Sequence, residues 1–545
     1  MHKVTWFIDW IWSRIKGYPP PALAGMRLQS PDAQDNALMM QFFTWESRHP
    51  TMSWWRHFEE EVPQLAELGV TQIWLPPPNK AMVKTGQGYD AYDLWDLGEF
   101  YQKGTVATRW GTKDELVRAV ETAKAHGIDV LIDAILNHKM GGDRIESFMA
   151  VPVDPKNRLR DLTPPREIEG WTAFDFSGRQ GKYSSLKWTQ EHFTGLDWDH
   201  RKRLKGIYRI VGGSHKGWSR FVDSENGNYD YLLGIDVNIL AIDLFTHRFI
   251  DAHNQIDHRH LAVREDLLEW GRWVLQTTGA TGFRLDAIKH MDRYFLLDFL
   301  RHVRKSAGRE DLFAVAEYWS GNLKQIKPYI YAFQGLVTFF DVPLHQRFHQ
   351  ASKAGPRFDM RTVFDNTVLK FRPGDAVTFV DNHDTVDLMS RQTLESWVGN
   401  SFKLQAYALI LLRGEGHPCV FYGDIYPNDE CYNERIARGV RRLMEARKRF
   451  AYGERVDYFS ARNCIGFVRM GDAAHKGCAV LVSNADPVNG SKGRIKMNVG
   501  ARNGGTLYHS IMNSSEHVDV SPDGWGIFTC PPGHVQVWVR SDAFL

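Results

Sequence analysis

The chain has 545 residues, of which 43% are hydrophobic, and a formal net charge of +2. This is ample for a large core and too long for one ordinary domain, so we expect two or three domains. The balanced charge, without a Lys/Arg block, argues against nucleic acid as a partner. No apolar run is long enough to predict a transmembrane segment.

The five cysteines are odd in number, and all lie in the last quarter of the sequence. This distribution favours reduced thiols over a secreted disulfide framework, so we predict a cytoplasmic protein, with secretion as the alternative. A bridge between Cys419 and Cys431 stays open at this point. Residues 1–35 form an N-terminal extension whose aromatic first part has no role that the sequence defines.

Short apolar segments alternate with segments of helical periodicity through most of the chain. The apolar segments are 38–43, 71–75, 129–136, 282–285, 313–316, 337–340, 377–380 and 419–422. Amphipathic segments follow several of them and end at glycine, as at Gly69 and Gly127. This alternation predicts parallel strands with helices outside, hence an α/β fold with a (β/α)8 TIM barrel over residues 36–138 and 240–447.

Two parts of the chain depart from this alternation. Residues 139–239 are rich in Gly, Trp, Tyr, Asp and Asn and show little helical periodicity. They are too long for a loop, so we predict an irregular domain inserted after the third strand. Residues 448–545 carry short alternating runs, which are typical of a C-terminal antiparallel β-sandwich.

Three carboxylates lie at or just beyond the ends of predicted barrel strands. Asp286 and Glu317 directly follow their strands, and Asp384 lies shortly after the seventh strand. Any one of them alone fits a helix cap or a surface charge better than a catalytic role. Because a parallel barrel gathers its strand ends at one mouth, however, the three acids together form the arrangement that cleaves glycosidic bonds.

The joint pattern resembles glycoside hydrolase family 13, and within it the alpha-amylases. Four segments match the signature regions of that family in order: 133–138 (DAILNH), 282–290 (GFRLDAIKH), 316–319 (AEYW) and 379–384 (FVDNHD). Segments 88–100, 225–231 and 340–344 are similar to bacterial liquefying amylases and their intracellular fungal relatives. The likeness runs from about residue 36 to residue 540, and it implies the same three-part fold.

The resemblance implies a role for each acid. Asp286 is similar to the family nucleophile, which forms a covalent glycosyl–enzyme intermediate. Arg284, two residues earlier on the same strand, faces the same side and would keep Asp286 ionised. Glu317 is similar to the general acid/base, and Asp384 resembles the third carboxylate, which favours distortion of the sugar ring.

The resemblance also implies a set of substrate contacts. His138 and His383 match the histidines that hydrogen-bond sugar hydroxyls, and Tyr92 matches the aromatic residue that stacks on the sugar undergoing cleavage. Lys289 and Trp319 look like contacts on the leaving-group side.

One calcium ion follows from the same resemblance. Its ligands would be the side chains of Asn137, Asp230 and Asp236 and the backbone carbonyl of His290, a set of hard oxygen donors that suits Ca²⁺ rather than Zn²⁺. The bacterial relatives carry extra acids that hold further ions. This chain has neutral residues at the aligned positions, which are Thr194, Ser219, Asn238 and Leu240. We therefore expect a single calcium.

Together these residues imply an endo-acting, retaining hydrolase of α-1,4-glucosidic bonds in starch, glycogen and malto-oligosaccharides, acting as a monomer. A 4-α-glucanotransferase, for example one of cell-wall α-glucan metabolism, is an alternative because the same acids serve both reactions. A non-catalytic amylase-like scaffold is a second alternative, which the presence of all three acids with Arg284 disfavours. The sequence does not define chain-length preference or products.

Overall fold

The computed structural model describes residues 19–30, 36–212, 217–219, 222, 253–386, 396–512 and 515–543. Its centre is a closed barrel of eight parallel strands, in which each strand pairs with the next along the chain and the eighth pairs with the first. The barrel strands, β1 to β8 in chain order, are Met39–Gln41, Gln72–Trp74, Asp129–Ala134, Gly282–Leu285, Phe313–Ala316, Thr338–Phe340, Ala376–Phe379 and His417–Phe421. The prediction of a (β/α)8 barrel is confirmed.

Eight helices in the described part of the chain cover the barrel. In chain order, α1 to α8 are Trp54–Glu67, Lys113–Ala125, Leu261–Thr278, Arg293–Ala307, Leu323–Ala332, Val342–Ala354, Lys403–Leu412 and Glu434–Phe450. Local sequence sets their ends: a capping box between Thr112 and Glu115 starts α2, and Asp292 accepts two backbone N–H bonds at the start of α4. Gly308 ends α4 in the left-handed conformation that glycine adopts without strain.

The chain between β3 and α3 contains an antiparallel sheet. Its described strands are His138–Lys139, Arg144–Asp154, Asn157–Asp161, Arg166–Ala173, Phe193–Asp199, Leu204–Ile210 and Asn254–Ile256. The insertion is more regular than its sequence predicts. The strand Arg144–Asp154 is not apparent in the sequence because its first half is largely exposed and shows no apolar alternation. A buried ion pair between Arg179 and Asp93, at 2.9 Å, ties this insertion to the loop after β2.

Antiparallel strands form the C-terminal part, as predicted. A six-stranded sheet contains Arg455–Tyr458, Cys464–Arg469, Cys478–Ser483, Leu507–Ser510, His517–Asp519 and Val535–Arg540. A separate pair consists of Gly493–Asn498 and Trp525–Cys530. Shorter elements elsewhere include the strand pair Lys80–Ala81 and Ala91–Asp93 and the one-turn helix Val368–Phe371. The predicted domain limits at residues 139–239 and 448–545 stay predictions.

The described part of the N-terminal extension packs on the barrel. The backbone N–H of Ala22 donates to Asp375 at 2.7 Å, and Arg27 pairs with Asp129 at the start of β3 at 2.8 Å. Residues 1–18 lie outside the described part of the chain. No helix within the described ranges has the length and apolar character needed to cross a membrane.

Candidate active site

The three predicted catalytic acids lie at the carboxyl ends of the barrel strands. Asp286 directly follows β4, Glu317 directly follows β5, and Asp384 lies in the turn after β7. Asp286 and Glu317 are buried, whereas the side chain of Asp384 stays 26% exposed. The parallel barrel thus brings residues that are far apart in sequence to one mouth.

Arg284 joins these acids through both ends of its guanidinium. Its Nη1 lies 2.6 Å from Asp286 Oδ1 and 2.9 Å from Asp133 Oδ1, and its Nη2 lies 3.0 Å from Glu317 Oε1. Only 1% of the Arg284 side chain is exposed, so these charge-assisted bonds form away from bulk water. One cation therefore holds Asp286 and Glu317 side by side.

The turn after β4 connects the same two acids a second time. The backbone N–H of Ala287 donates to Glu317 Oε2 at 3.1 Å. Ala287 adopts a left-handed conformation with φ of 48°, which costs a non-glycine residue about 1–2 kcal/mol. Because Ala287 directly follows Asp286, this strained turn orients the carboxyl group of Glu317 toward that acid.

Crowding of carboxyl groups dominates the electrostatics of the mouth. Burial raises the pKa of Asp286 well above its ordinary value, with Arg284 opposing the shift and the neighbouring acids adding to it. Burial and the nearby Glu317 raise the pKa of Asp384 to about 7. The site therefore concentrates more negative charge than Arg284 alone neutralises, and it holds protons near neutral pH.

A buried lysine anchors the turn that carries Asp384. Asp381 accepts the hydroxyl of Thr385 at 2.9 Å and the backbone N–H of Val398 at 3.2 Å. The Nζ of Lys403, on α7, lies 3.0 Å from Asp381 and 2.7 Å from Asp424. Lys403 thus ties together the carboxyl ends of β7 and β8 beneath the mouth.

His383 is held in one tautomer beside Asp384. The amide nitrogen of Gln41 lies 3.0 Å from His383 Nδ1, and because an amide nitrogen only donates, Nδ1 must accept. The proton therefore lies on Nε2, which is 3.4 Å from Asp384 Oδ2. Burial and Arg284 lower the pKa of His383 well below its ordinary value, so the ring is neutral and can donate from Nε2.

His138 is also buried and neutral. Its Nε2 lies 2.7 Å from the carbonyl oxygen of Tyr89, an acceptor, so Nε2 carries the proton. Burial lowers the pKa of His138 to about 4. This bond links the end of β3 to the loop that carries Tyr89.

The structure corrects the prediction for Tyr92, which does not lie with the acids. Only 2% of Tyr92 is exposed, and its hydroxyl donates to Asp143 at 2.8 Å. Tyr89 occupies the position predicted for Tyr92. Its hydroxyl donates to Asp133 at 2.8 Å, and its ring stacks on that of His383 with centroids 5.1 Å apart.

Trp45 extends this aromatic stack. Its ring is parallel to Tyr89 within 9° and to His383 within 6°, at centroid distances of 5.7 and 5.9 Å. Sequence analysis missed Trp45, Tyr89, Gln41 and Asp133 as site residues. In the sequence, only the position of each residue near a strand end or a signature segment indicates that it belongs to the site.

Lys289 and Trp319 meet at the same mouth, on the loops after β4 and β5. Lys289 Nζ donates to the Trp319 carbonyl at 3.3 Å. Burial lowers the pKa of Lys289, and the charge of Glu317 opposes that shift. Lys289 therefore lies on the β4 side of Glu317, whereas the ring of Trp319 packs toward β7, with its centroid 6.4 Å from that of Phe379.

The calcium prediction falls partly on described residues. Asn137 Oδ1 and the carbonyl oxygen of His290 converge on one point, because both accept from the amide nitrogen of Gln255, at 2.6 and 3.0 Å. These two converging oxygens are two of the four predicted calcium ligands, and the Gln255 amide could add a third oxygen by turning its carbonyl toward them. Asp230 and Asp236 lie outside the described residues. Within the described ranges, no group of three His, Cys, Asp or Glu side chains is placed to hold a metal.

Two of the four positions predicted to lack further metal-binding acids lie in the described part of the chain. Thr194 is buried, and the hydroxyl of Ser219 lies 3.4 Å from Asp292. Asn238 and Leu240 lie outside the described residues.

A guanidinium-bridged pair of carboxyls with a third carboxyl at a barrel mouth defines a site of the glycoside hydrolase type. The family described as "Alpha amylase, catalytic domain" matches residues 55–208 and 241–437. An alpha-amylase of Geobacillus stearothermophilus is 41% identical over 505 residues, which cover 92% of this chain and 87% of the relative. The chain belongs to the alpha-amylase family and is a glycoside hydrolase of the alpha-amylase type.

Two further comparisons agree. The cytoplasmic alpha-amylase of Escherichia coli (strain K12) is 37% identical over 517 residues, covering 92% of this chain and 99% of the relative. The crystal structure of an alpha-amylase from Geobacillus thermoleovorans complexed with acarbose has a TM-score of 0.58 at 16% identity, over 93% of this chain and 98% of that one. At that identity the structural likeness shows the fold alone.

The raised pKa of Asp384 predicts that this side chain, although needed for activity, lowers the stability of the folded protein. Its folded-state pKa of about 7 lies above the ordinary value of 3.8 for an aspartate, so the native protein loses stability as pH rises from about 4 through about 7. Asn cannot ionise, and we expect Asp384→Asn to abolish activity yet unfold about 2–4 °C above wild type at pH 8.0. The difference in unfolding temperature between Asp384→Asn and wild type, measured by differential scanning calorimetry, should be smaller at pH 5.0.

The exposed acid Asp519 provides the control for this experiment. Asp519→Asn should leave activity and unfolding temperature unchanged at both pH values. An unfolding temperature of Asp384→Asn that stays at or below wild type at pH 8.0 would contradict the electrostatic account.

Proposed function

We propose that this chain is an endo-acting, retaining hydrolase of α-1,4-glucosidic bonds in starch, glycogen and malto-oligosaccharides. The observation that carries the proposal is the geometry of the Arg284 guanidinium, whose two terminal nitrogens bond to Asp286 at 2.6 Å and to Glu317 at 3.0 Å. The two nitrogens of one guanidinium hold the carboxyls side by side. That arrangement suits the separation of about 5–5.5 Å used by retaining enzymes, rather than the ~6.5–9.5 Å of inverting ones.

In the proposed first step, Asp286 attacks the anomeric carbon while Glu317 gives its proton to the departing glycosidic oxygen. The bond to Arg284 favours the ionised form of Asp286 and stabilises the negative charge of the carboxylate until it bonds to the sugar. In the second step, Glu317 takes a proton from water, which then displaces Asp286. The same two side chains thus serve both halves of a double displacement, and the configuration is retained.

The remaining mouth residues would bind and distort the sugar. Asp384 accepts hydrogen bonds from hydroxyl groups, and the neutral His383 is suited to donate to one of them from Nε2. The Nε2 proton of His138 already bonds to the Tyr89 carbonyl oxygen, so His138 would hold the loop that carries Tyr89. The stacked rings of Tyr89 and Trp45 offer an apolar face to a pyranose ring. Lys289 and Trp319 would contact the leaving-group side.

The transferase alternative uses the same acids and is not favoured. Relatives that cover most of this chain carry the names alpha-amylase and glucan 1,4-alpha-maltohexaosidase, which are those of hydrolases. Those names also support action on α-1,4-glucans. The non-catalytic scaffold lacks support, because all three acids are present and Arg284 bonds to both Asp286 and Glu317.

Replacing the proton donor tests this proposal. Glu317→Gln should lower kcat on maltoheptaose by at least ~1,000-fold because both steps lose their proton carrier. Exposed Glu310, near the opposite end of β5, supplies the matched control, and Glu310→Gln should keep wild-type kcat. Chromatography of the wild-type digest should give only products shorter than the substrate, and NMR should show α-anomers first.

Three outcomes would count against the proposal. Chains longer than maltoheptaose as major products would indicate transfer, and β-anomers first would indicate inversion. Equal activity of wild type and Glu317→Gln would indicate a scaffold.

We also propose one calcium ion, bound by Asn137, the His290 carbonyl, Asp230 and Asp236, in a monomer that resides in the cytoplasm. The two converging oxygens at Gln255 support the metal site, and the named cytoplasmic relative and five free thiols support the location. The ion would hold the end of β3, the inserted segment and the turn after β4 together. Secretion stays the alternative.

Native mass spectrometry tests the calcium and the oligomeric state together. We expect one chain of 62.7 kDa with a single Ca²⁺, and a fall in unfolding temperature when a chelator removes the ion. In Asn137→Ala the unfolding temperatures with and without calcium should coincide, whereas the exposed control Asn489→Ala should keep the difference. Two or more tightly bound ions, or a dimer mass, would contradict the proposal.

A further inference from the structure

Two of the five cysteines touch each other in the C-terminal sheets. Cys464 begins a strand of the six-stranded sheet, and Cys530 ends the strand Trp525–Cys530 of the neighbouring pair. Their thiols are in hydrogen-bond contact. Both are buried, with exposed fractions of 7% and 0%.

A glycine creates the space for this contact. Gly493 lies directly opposite Cys530 in the antiparallel pairing of the two-stranded sheet. A Cβ atom at Gly493 would collide with the sulfur of Cys464, and it would lie 3.5 Å from the Cys530 carbonyl oxygen. The missing side chain therefore lets Cys464 reach across from one sheet to the other.

The two sulfurs differ in their electrostatic surroundings. The hydrogen bond from Cys530 lowers the pKa of Cys464, whereas burial raises the pKa of Cys530 well above its ordinary value. The sulfur of Cys530 also lies 3.2 Å from the carbonyl oxygen of His534. Burial raises the pKa of both Cys419 and Cys478 to about 12. Cys464 is thus the better nucleophile of the pair.

We propose that Cys464 and Cys530 are a redox-active thiol pair that a peroxide closes into a disulfide across the two C-terminal sheets. The Cys464 thiolate attacks one oxygen of hydrogen peroxide, so that an S–O bond forms, the O–O bond breaks, and the hydroxide released takes up the proton that Cys464 lost. Cys530 then attacks that sulfur, the S–O bond breaks, and hydroxide leaves with the proton of Cys530. Two thiols and one peroxide become one disulfide and two waters.

The cross-link would join residues 464 and 530, which are far apart in sequence, and would restrict the unfolded chain. It therefore stabilises the C-terminal sheets without touching the barrel mouth. In a reducing compartment the pair stays as thiols, and under oxidation it closes. This inference concerns a part of the fold separate from the proposed active site, so it stands or falls independently of the hydrolase activity.

Thiol counting tests the proposal on the intact protein. Treatment with hydrogen peroxide should lower the number of thiols that Ellman's reagent detects after denaturation from five to three. Peptide mapping without reductant should recover one cross-linked pair that contains Cys464 and Cys530. The unfolding temperature should rise by several degrees and return to its starting value with dithiothreitol, while activity on maltoheptaose stays constant.

Serine variants supply the controls. Cys464→Ser and Cys530→Ser should each keep four thiols after peroxide and show no thermal shift. Cys478→Ser removes an equally buried thiol outside the pair. After peroxide treatment this variant should still lose two thiols and unfold at a higher temperature. Five thiols remaining in the oxidised wild type, a cross-link that maps to another pair, or oxidation of Cys464 to an acid without a cross-link would overturn the proposal.

Discussion

The guanidinium of Arg284 is the interaction on which the active site depends. Four carboxyl groups, those of Asp133, Asp286, Glu317 and Asp384, gather at the barrel mouth, and without a cation among them their mutual repulsion would exclude this arrangement. The strand register places Arg284 directly opposite Asp133 on β3, and β5 lies on its other side. Because Asp286 comes two residues after Arg284, directly beyond the end of β4, it faces the same way.

The rest of the mouth stabilises this crowded charge at a cost to the fold. Ala287 stays in a left-handed conformation and donates to Glu317, and the partly exposed carboxyl of Asp384, whose pKa is raised, is destabilising when ionised. Support comes from outside the reacting atoms. Lys403 joins the ends of β7 and β8, and Gln41 fixes the tautomer of His383. The site is therefore rigid because several elements hold it, rather than because its own residues favour the arrangement.

Much of the fold could be predicted from the sequence because buried parallel strands are short apolar runs, and all eight were visible. The three acids were visible for the same reason, since each lies at or near the end of such a run. Tyr89 and Tyr92 lie in one loop, and only the folded structure decides which ring faces the mouth. Lys403 was invisible because its partners, Asp381 and Asp424, are distant in sequence, and the inserted sheet was invisible because its outer strands lack apolar alternation.

The most direct measurement of the central claim is the activity of Arg284→Lys. Lysine keeps the positive charge but is a single point of charge, so it cannot bond to Asp133, Asp286 and Glu317 from two separate nitrogens. We expect kcat/KM on maltoheptaose to fall by ~100-fold or more in a variant whose circular dichroism matches wild type. A variant whose kcat/KM stays within a few-fold of wild type would contradict this expectation. Positive charge alone, without the two terminal nitrogens of the guanidinium, would then be sufficient for activity.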